Sequence, residues 1–168
     1  MYDIKRNPLG IYEKALPDSF SWKEKIQAAK AAGYDYIEIS IDESEERLSR
    51  LDWTDSQIEE IREYMRQEDI VIPTMCLSGH RKYPFGSKNM ETRKKAFEIM
   101  EKAILLAQKL GIRCIQLATY DVYYEESDEQ TERLFLEGMK KSVEMASRAG
   151  VILAMEIMDT KFVGTILR

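Results

Sequence analysis

The sequence lacks several features that would place the protein in a particular class. No apolar run approaches the ~20 residues that a membrane-spanning helix needs, and the N-terminus lacks the apolar stretch of a signal peptide. A basic excess is also missing, because 25 Lys and Arg face 30 Asp and Glu, for a net charge of -5. Nucleic-acid binding needs a basic surface, so we expect neither a nucleic-acid nor a membrane partner.

Histidine and cysteine are scarce. The sequence has one histidine, His80, and two cysteines, Cys76 and Cys114. A single histidine cannot build a histidine-rich zinc site. Each cysteine lies in an apolar, strand-like segment, which predicts buried free thiols in a reducing compartment and therefore a cytoplasmic protein. Glycine-rich nucleotide-binding loops, paired Cys-x-x-Cys motifs and a serine nucleophile elbow are also absent.

The sequence does contain a repeating unit of helix and strand. Apolar residues make up 44% of the 168 residues, which is enough for a single packed domain over 1–168. In the recurring unit an amphipathic helix is followed by a short β-branched segment, and three of the four helices end near a glycine, at Gly33, Gly111 and Gly150. We predict strands near 8–12, 36–41, 71–76, 113–118 and 151–156, with four helices between them. This alternation predicts a parallel sheet, with a bulge or a local break at Pro73 because proline cannot donate a backbone hydrogen bond.

Polar pairs and apolar periodicity predict where the helices lie. One helix is predicted from the unbroken apolar period between Ala96 and Leu110, and Gly111 ends it. The acidic segment 42–46 is predicted as the solvated start of a further helix. The spacing of a capping box predicts the start of the three other helices at Ser21–Glu24, Thr54–Gln57 and Ser127–Gln130.

Polar residues lie in or after each predicted strand, towards its carboxyl end. In a parallel barrel all strands end on one face, where the following loops build the active site, so this placement favours an enzyme. A doubly wound sheet would form a ligand crevice in the same position, so the placement does not distinguish the two folds. The residues are Glu13; Glu38, Asp42 and Glu43; Ser78, His80 and Arg81; Gln116, Thr119, Tyr120 and Asp121; and Glu156 and Asp159.

Several of these residues have two interpretations. Glu156 and Glu38 interrupt apolar strands, where an unpaired carboxylate would be costly to bury. Each is explained either by a functional role, such as metal ligand or acid/base group, or by a structural ion pair. His80 is either a ligand-binding group or, as is commoner for a lone histidine, a hydrogen-bonded loop residue. The tyrosines Tyr120, Tyr123 and Tyr124 either line a pocket or cover the barrel rim.

Long blocks of the sequence also match one known family. The blocks are 8–17 (Pro-Leu-Gly-Ile-Tyr-Glu-Lys-Ala-Leu-Pro), 42–43, 46–53, 75–78, 80–81, 115–118, 120–124, 142–149 and 153–159. Over nearly the whole chain they resemble the bacterial L-ribulose-5-phosphate (L-xylulose-5-phosphate) 3-epimerases. Some members of that family carry the older label hexulose-6-phosphate isomerase.

The resemblance implies a fold, a reaction and a cofactor. The fold is a xylose-isomerase-like (β/α)₈ TIM barrel, of which this chain would form about the first five strands and four helices, a half-barrel. The reaction is epimerisation of a ketopentose 5-phosphate at C3, from L-xylulose to L-ribulose 5-phosphate through an enediolate, as in L-ascorbate utilisation. A divalent metal (Zn, Mn, Mg or Co) would stabilise the enediolate. Glu156 matches the family's first metal ligand, which also acts as acid/base group; an Asp, a His and a second Glu would follow residue 168.

Position alone predicts that Glu38, His80 and Gln116 contact substrate hydroxyl groups. We expect residues 162–168 to be the start of a helix that is cut short. The chain alone should then be inactive, bind metal poorly and form a homo-oligomer through its open sheet edges. Three alternatives stay open: a related enzyme such as hexulose-6-phosphate isomerase or a polyol dehydratase, an apurinic-site endonuclease on the same fold, and an inactive, self-associating fragment.

Overall fold

The chain forms a parallel β-sheet with helices packed on one face. A computed structural model describes residues 7–158, 160 and 162. Five strands lie in the order β1-β2-β3-β4-β5, and every neighbouring pair is parallel, as predicted. The strands are β1 (Gly10–Tyr12), β2 (Tyr36–Ile41), β3 (Val71–Leu77), β4 (Cys114–Ala118) and β5 (Ile152–Glu156).

The four helices predicted between the strands are present, and so is the further helix predicted to start in the acidic segment. That helix forms in the acidic segment, where the Ser44 side chain caps it by accepting a hydrogen bond from the Arg47 amide. Short 3₁₀ turns cover Glu13–Ala15, Ser49–Asp52 and Gly79–Arg81. The α-helices are α1 (Trp22–Ala31), α2 (Glu45–Leu48), α3 (Asp55–Glu68), α4 (Met90–Leu110) and α5 (Glu129–Ala149).

Two of the three predicted capping boxes are confirmed, and the third begins one residue later. In α5 the N-cap is Asp128, whose carboxylate accepts hydrogen bonds from the amides of Gln130 and Thr131. Ser127 is not the cap because its hydroxyl donates to the buried Asp121 at 2.7 Å. Asp caps a helix as well as Ser does, so spacing could not separate the two positions. The confirmed boxes are Ser21–Glu24 and Thr54–Gln57.

Alternating side chains give the sheet two different faces. On β2, Ile37, Ile39 and Ile41 are fully buried in the main apolar core, whereas Tyr36, Glu38 and Ser40 alternate with them. The register carries this alternation to the neighbouring strands. We call the opposite side the inner face, because it faces the interior of the barrel. Its rows are Tyr12, Glu38, Thr74, Cys114 and Ile152; then Ser40, Cys76, Gln116 and Ala154; then Ala118 and Glu156.

The bulge predicted at Pro73 is present between β2 and β3. Tyr36 pairs with Val71 but Glu38 pairs with Thr74, so β3 has one additional residue in this stretch. The prediction that both cysteines are buried is wrong. Both are free thiols, as predicted, but they are only partly buried, because they lie on the inner face of the sheet and not in the core beneath the helices.

β1 and β5 are the two outer strands of the sheet, which confirms the predicted half-barrel. No helix among the described residues is long and apolar enough to cross a membrane. Asp159 lies outside the described residues, as does the predicted helix start at 162–168 except for Phe162.

Candidate functional site

A cavity of about 570 Å³ lies at the carboxyl ends of the strands. From the polar residues predicted at the strand ends, the structure brings together Asp42, Glu43, Ser78, Arg81 and Glu156 in its lining. Lys14, which the sequence analysis did not single out, adds a second cation. Lys14 could have been identified from the sequence by its position two residues after β1, next to the polar Glu13.

Glu156 is the last residue of β5 and is exposed to solvent on the wall of this cavity. It pairs in register with Ala118, the last residue of β4. A substrate in the cavity would therefore meet the carboxylate directly. Among the described residues no ion pair to Glu156 lies within salt-bridge distance, and its role as metal ligand or acid/base group stays a prediction.

Glu38 and Gln116 lie on the same inner face but deeper in the sheet. Gln116 is one row below Glu156, and Glu38 is a further row below Gln116. Neither side chain lines the cavity. Burial raises the pKa of the Cys76 thiol, and the charges of Glu38 and Glu156 raise it further. The thiol between these two carboxylates is therefore neutral, and their roles towards a substrate stay a prediction.

His80 is placed away from the cavity lining. It lies buried in the Gly79–Arg81 turn, where its Nε2 is 3.1 Å from the Ala96 carbonyl oxygen and its ring stacks on Phe85 at 4.6 Å. Burial lowers the pKa of His80 to about 4, so the ring is neutral near pH 7. The hydrogen-bonded loop residue is thus the interpretation that this geometry supports, and contact with a substrate hydroxyl stays a prediction.

Glu13 is fully buried, and its role was missed because the sequence shows only a polar residue after a strand. Its carboxylate contacts Arg50 Nη1 at 2.7 Å and Lys25 Nζ at 3.3 Å, and it accepts a hydrogen bond from the Ser40 amide. These partners come from α1, β2 and the Ser49–Asp52 turn. Glu13 therefore ties the end of β1 to three other elements, and this role is structural.

Asp42 and Lys14 form the adjoining wall of the cavity. Lys14 Nζ lies 2.6 Å from Asp42 Oδ2, and the Ser44 amide and hydroxyl both donate to Asp42 Oδ1. Burial would raise the pKa of Asp42, but the hydrogen bonds from Lys14 and Ser44 hold it well below its usual range. Asp42 is thus an anion under all ordinary conditions.

Residues from the loops after β2, β3 and β4 contact one another at another part of the cavity lining. The guanidinium of Arg81 lies over the Tyr123 ring at 4.8 Å, and Tyr124 donates a hydrogen bond to Glu43 Oε1 at 3.1 Å. Tyr120 packs on Tyr123 at 5.1 Å. The exposure of Tyr123 and Tyr124 favours the rim interpretation for these two, whereas Tyr120 is buried and lines a separate pocket with His80 and Phe85.

The residues present do not by themselves fit a divalent metal. Among the residues that the structure describes, no group of three or more His, Cys, Asp or Glu side chains is arranged to hold a metal ion. Divalent metals in proteins take several such ligands. A metal site that includes Glu156 therefore needs ligands from outside the described residues.

Comparison with known proteins identifies the family. Residues 26–166 match the xylose isomerase-like TIM barrel family. The L-ribulose-5-phosphate 3-epimerase of Escherichia coli O157:H7 is 52% identical over 162 residues, which are 96% of this chain and 57% of that protein. A D-psicose 3-epimerase from Clostridium cellulolyticum H10, solved with D-tagatose, has a TM-score of 0.76 at 19% identity, covering 94% of this chain and 54% of that one.

A xylose isomerase-like protein from Mycobacterium smegmatis, solved with magnesium, has a TM-score of 0.63 at 17% identity, covering 86% of this chain and 49% of that one. The chain thus spans about half the length of the relatives that it matches. The family pattern nevertheless covers most of the chain, and the strand order is that of the barrel. The chain belongs to the xylose isomerase-like TIM barrel family.

Proposed function

We propose that this chain forms the first five strands of a sugar-phosphate 3-epimerase, which interconverts L-xylulose 5-phosphate and L-ribulose 5-phosphate. One observation carries the proposal: Glu156, which has no ion-pair partner among the described residues, ends the fifth strand and lines an open cavity with two cations. The name of the relative that is 52% identical supports this choice of substrate over other sugars. The match to a family of barrel enzymes leaves the related sugar isomerases as the nearest competitors.

The reaction requires removal of a proton from a carbon atom. The C3 hydrogen of a ketopentose 5-phosphate is acidic because C3 is bonded to the C2 ketone. As the C3–H bond breaks, its electron pair forms a C2=C3 double bond and the ketone oxygen becomes negative, giving an enediolate. Glu156 accepts the C3 proton on one face, and a second acid returns a proton to the opposite face, which inverts C3.

The cations in the cavity suit the other end of the substrate. Lys14 and Arg81 both line the cavity that Glu156 lines. A phosphate monoester carries about two negative charges at neutral pH and is bound well by Lys and Arg side chains. We assign the phosphate to these two residues. Glu38 and Gln116, deeper on the inner face, would contact substrate hydroxyl groups only if the sugar reaches below the cavity.

A divalent metal belongs to the proposal for the assembled barrel. Bound beside Glu156, it would supply a Lewis acid for the negative ketone oxygen. The magnesium-bound neighbour of the same fold supports a divalent metal of some kind. Glu156 belongs to no group of three or more metal-ligating side chains among the described residues, so we expect weak metal binding and no turnover from residues 1–168 alone.

A chimera tests the proposed activity. Residues 1–168 are joined to the segment that follows the matched region in the Escherichia coli relative. With L-ribulose 5-phosphate in D₂O, the chimera should incorporate deuterium at C3, as measured by NMR. Glu156→Gln should slow this exchange by more than ~100-fold, because it removes the base. A folded chimera that exchanges no C3 hydrogen, or an equally active Glu156→Gln variant, would exclude the proposed role.

Self-association of the chain is a second candidate, favoured by the surface around β5. Ile152, Met155 and Ile157 are each at least half exposed, and among the described residues no strand pairs with the outer side of β5. Open strand edges and exposed apolar patches pair with other chains. We propose that the 168-residue chain is a dimer or larger. Light scattering at increasing concentration tests this, and a monomer at all concentrations would contradict it.

A further inference from the structure

The Lys14 ammonium shares its wall of the cavity with an anion. Lys14 Nζ lies 2.6 Å from Asp42 Oδ2, and the Asp42 side chain is mostly buried. If these two groups faced only each other, their charges would cancel. Lys14 would then contribute little attraction for an anionic substrate, because each charge would be screened by the other at contact distance.

The Arg47 guanidinium, which does not line the cavity, changes the charge balance of the Lys14–Asp42 pair. The Arg47 side chain is only 11% exposed, and its Nη1 lies 3.3 Å from the same oxygen of Asp42 that Lys14 contacts. Its Nη2 contacts Asp18 at 2.7 Å, and its Nε is 3.7 Å from Glu13 Oε1. The Nε is buried and has no hydrogen-bond partner among the described residues. Arg47 therefore does not line the cavity, but it contacts a residue that does.

Glu13 does not need the charge of Arg47. The carboxylate of Glu13 already has Arg50 Nη1 at 2.7 Å and Lys25 Nζ at 3.3 Å. The remaining contacts of Arg47 are with Asp18, whose side chain is 76% exposed, and with Asp42. Water screens the exposed Asp18 strongly, so Asp42 is the carboxylate that Arg47 chiefly neutralises. The network sets two largely buried carboxylates, Glu13 and Asp42, against four cations. Lys25, Arg47 and Arg50 are largely buried, and Lys14 is exposed at the cavity.

We propose that Arg47 is a positioning residue for the anionic group of the substrate: it neutralises Asp42 from behind, so that Lys14 keeps its charge for a phosphate monoester in the cavity. This inference rests on the proposed function and adds to it a residue that never touches the substrate. Asp42 then holds the Lys14 side chain in place without cancelling its charge. Removing Arg47 should leave a neutral Lys14–Asp42 pair that attracts phosphate weakly.

Phosphate binding by six variants of the 168-residue chain tests the proposal, four of them at Arg47 and Asp42 and two at other positions. Inorganic phosphate is titrated by ³¹P NMR, and far-UV circular dichroism confirms folding. Arg47→Met should weaken binding about tenfold, and Arg47→Lys, which keeps the charge, should stay within about threefold of the unmodified chain. Asp42→Asn should bind phosphate at least as tightly as the unmodified chain. The double variant Arg47→Met/Asp42→Asn should recover most of the phosphate affinity that Arg47→Met loses, because no carboxylate at position 42 then needs to be neutralised.

The double variant separates this role from a purely structural one. If Arg47 only stabilised the fold, Asp42→Asn would not restore affinity, and that result would overturn the proposal, as would unchanged binding in Arg47→Met. Arg66→Met is the matched control, because Arg66 pairs with Glu59 and Glu63 on the exposed face of α3. It should leave affinity unchanged. A Lys14→Met variant that binds phosphate normally would instead remove Lys14 from the proposed phosphate site, and this inference with it.

Discussion

The two outer strands of the sheet differ in how this chain completes them. At β1, the chain continues into the buried Glu13, which Lys25 and Arg50 surround. At β5, the strand leaves apolar side chains half exposed, among them Ile152 and Met155. Charge pairs thus tie the end of β1 to other elements, and we call this the closed side. Among the described residues no ion pair involves β5, and we call that the open side.

The difference shows that the buried charge network lies at one side of the sheet and the proposed base, Glu156, at the other. The β1 side contains a charge network whose members are mostly buried and mutually satisfied. The β5 side carries Glu156, the carboxylate on which the proposed reaction depends, on the last strand of the described sheet. The proposed site therefore combines Lys14, which follows β1, with a base from the opposite side of the sheet.

The largest expected effect comes from breaking the closed side. Glu13→Gln removes a buried carboxylate and leaves Lys25 and Arg50 without their anion. Loss of one partner from a buried ion pair typically costs about 3–5 kcal/mol in the free energy of unfolding. Urea denaturation measures this change. Glu59→Gln is the control, because the ion pairs of Glu59 among the described residues are exposed. If both variants lost similar stability, the buried network would not stabilise the β1 side more than an exposed ion pair does.

The next largest expected effect is a pH dependence of stability that comes from His80, in the turn after the middle strand β3. Burial lowers the pKa of His80 to about 4, whereas an unfolded histidine titrates near 6.5. Between these values the unfolded chain binds more protons, so stability falls as the pH falls from about 6.5 to about 4, by about 3 kcal/mol in all. His80→Gln should flatten this dependence in denaturation curves at several pH values. An unchanged slope would mean that another group titrates there.

Much of the fold could be predicted from the sequence, because its signals are local. Strand positions followed from β-branched segments, and the caps at Ser21 and Thr54 followed from side chains three residues apart. The bulge at Pro73 followed from a missing backbone donor. The cap of α5 was misplaced because what engages Ser127 is Asp121, a contact that depends on the folded loop.

The site was only partly predictable, because the roles of several of its residues depend on contacts between distant parts of the chain. Glu156 could be found because a carboxylate at the end of an apolar strand is conspicuous. Lys14 and Arg47 could not be assigned, because their roles depend on contacts with Asp42 and Glu13 that bring α2 against the loop after β1. His80 illustrates the opposite case: a reactive residue type at a strand end that the fold uses as a buried hydrogen-bonding group.

The open side should respond to a charge at its edge. Ile152→Lys places a cation on a half-exposed position of β5, where like charges on two associating chains repel. If the chain self-associates through this edge, the dissociation constant should rise about tenfold, which corresponds to about 1.4 kcal/mol. Analytical ultracentrifugation measures it. Leu105→Lys, at an exposed position of α4, is the control; an equal change in both variants would place the contact elsewhere than β5.

The smallest effect concerns a helix that packs against α1 near the closed side. Thr54 accepts a hydrogen bond from the Gln57 amide, and Gln57 accepts one from the Thr54 amide in return. Thr54→Ala removes the first bond and leaves an amide of the first turn of α3 unsatisfied, which should cost about 1 kcal/mol in the free energy of unfolding. Ser56→Ala deletes a hydroxyl from the same turn at an exposed position and should change stability very little. If the two variants lost equal stability, the cost would reflect the loss of a hydroxyl in the first turn and not the cap. If neither lost any, α3 would be held by its packing on α1 and the sheet alone, and the closed side would owe its stability to burial and ion pairs without help from its helix ends.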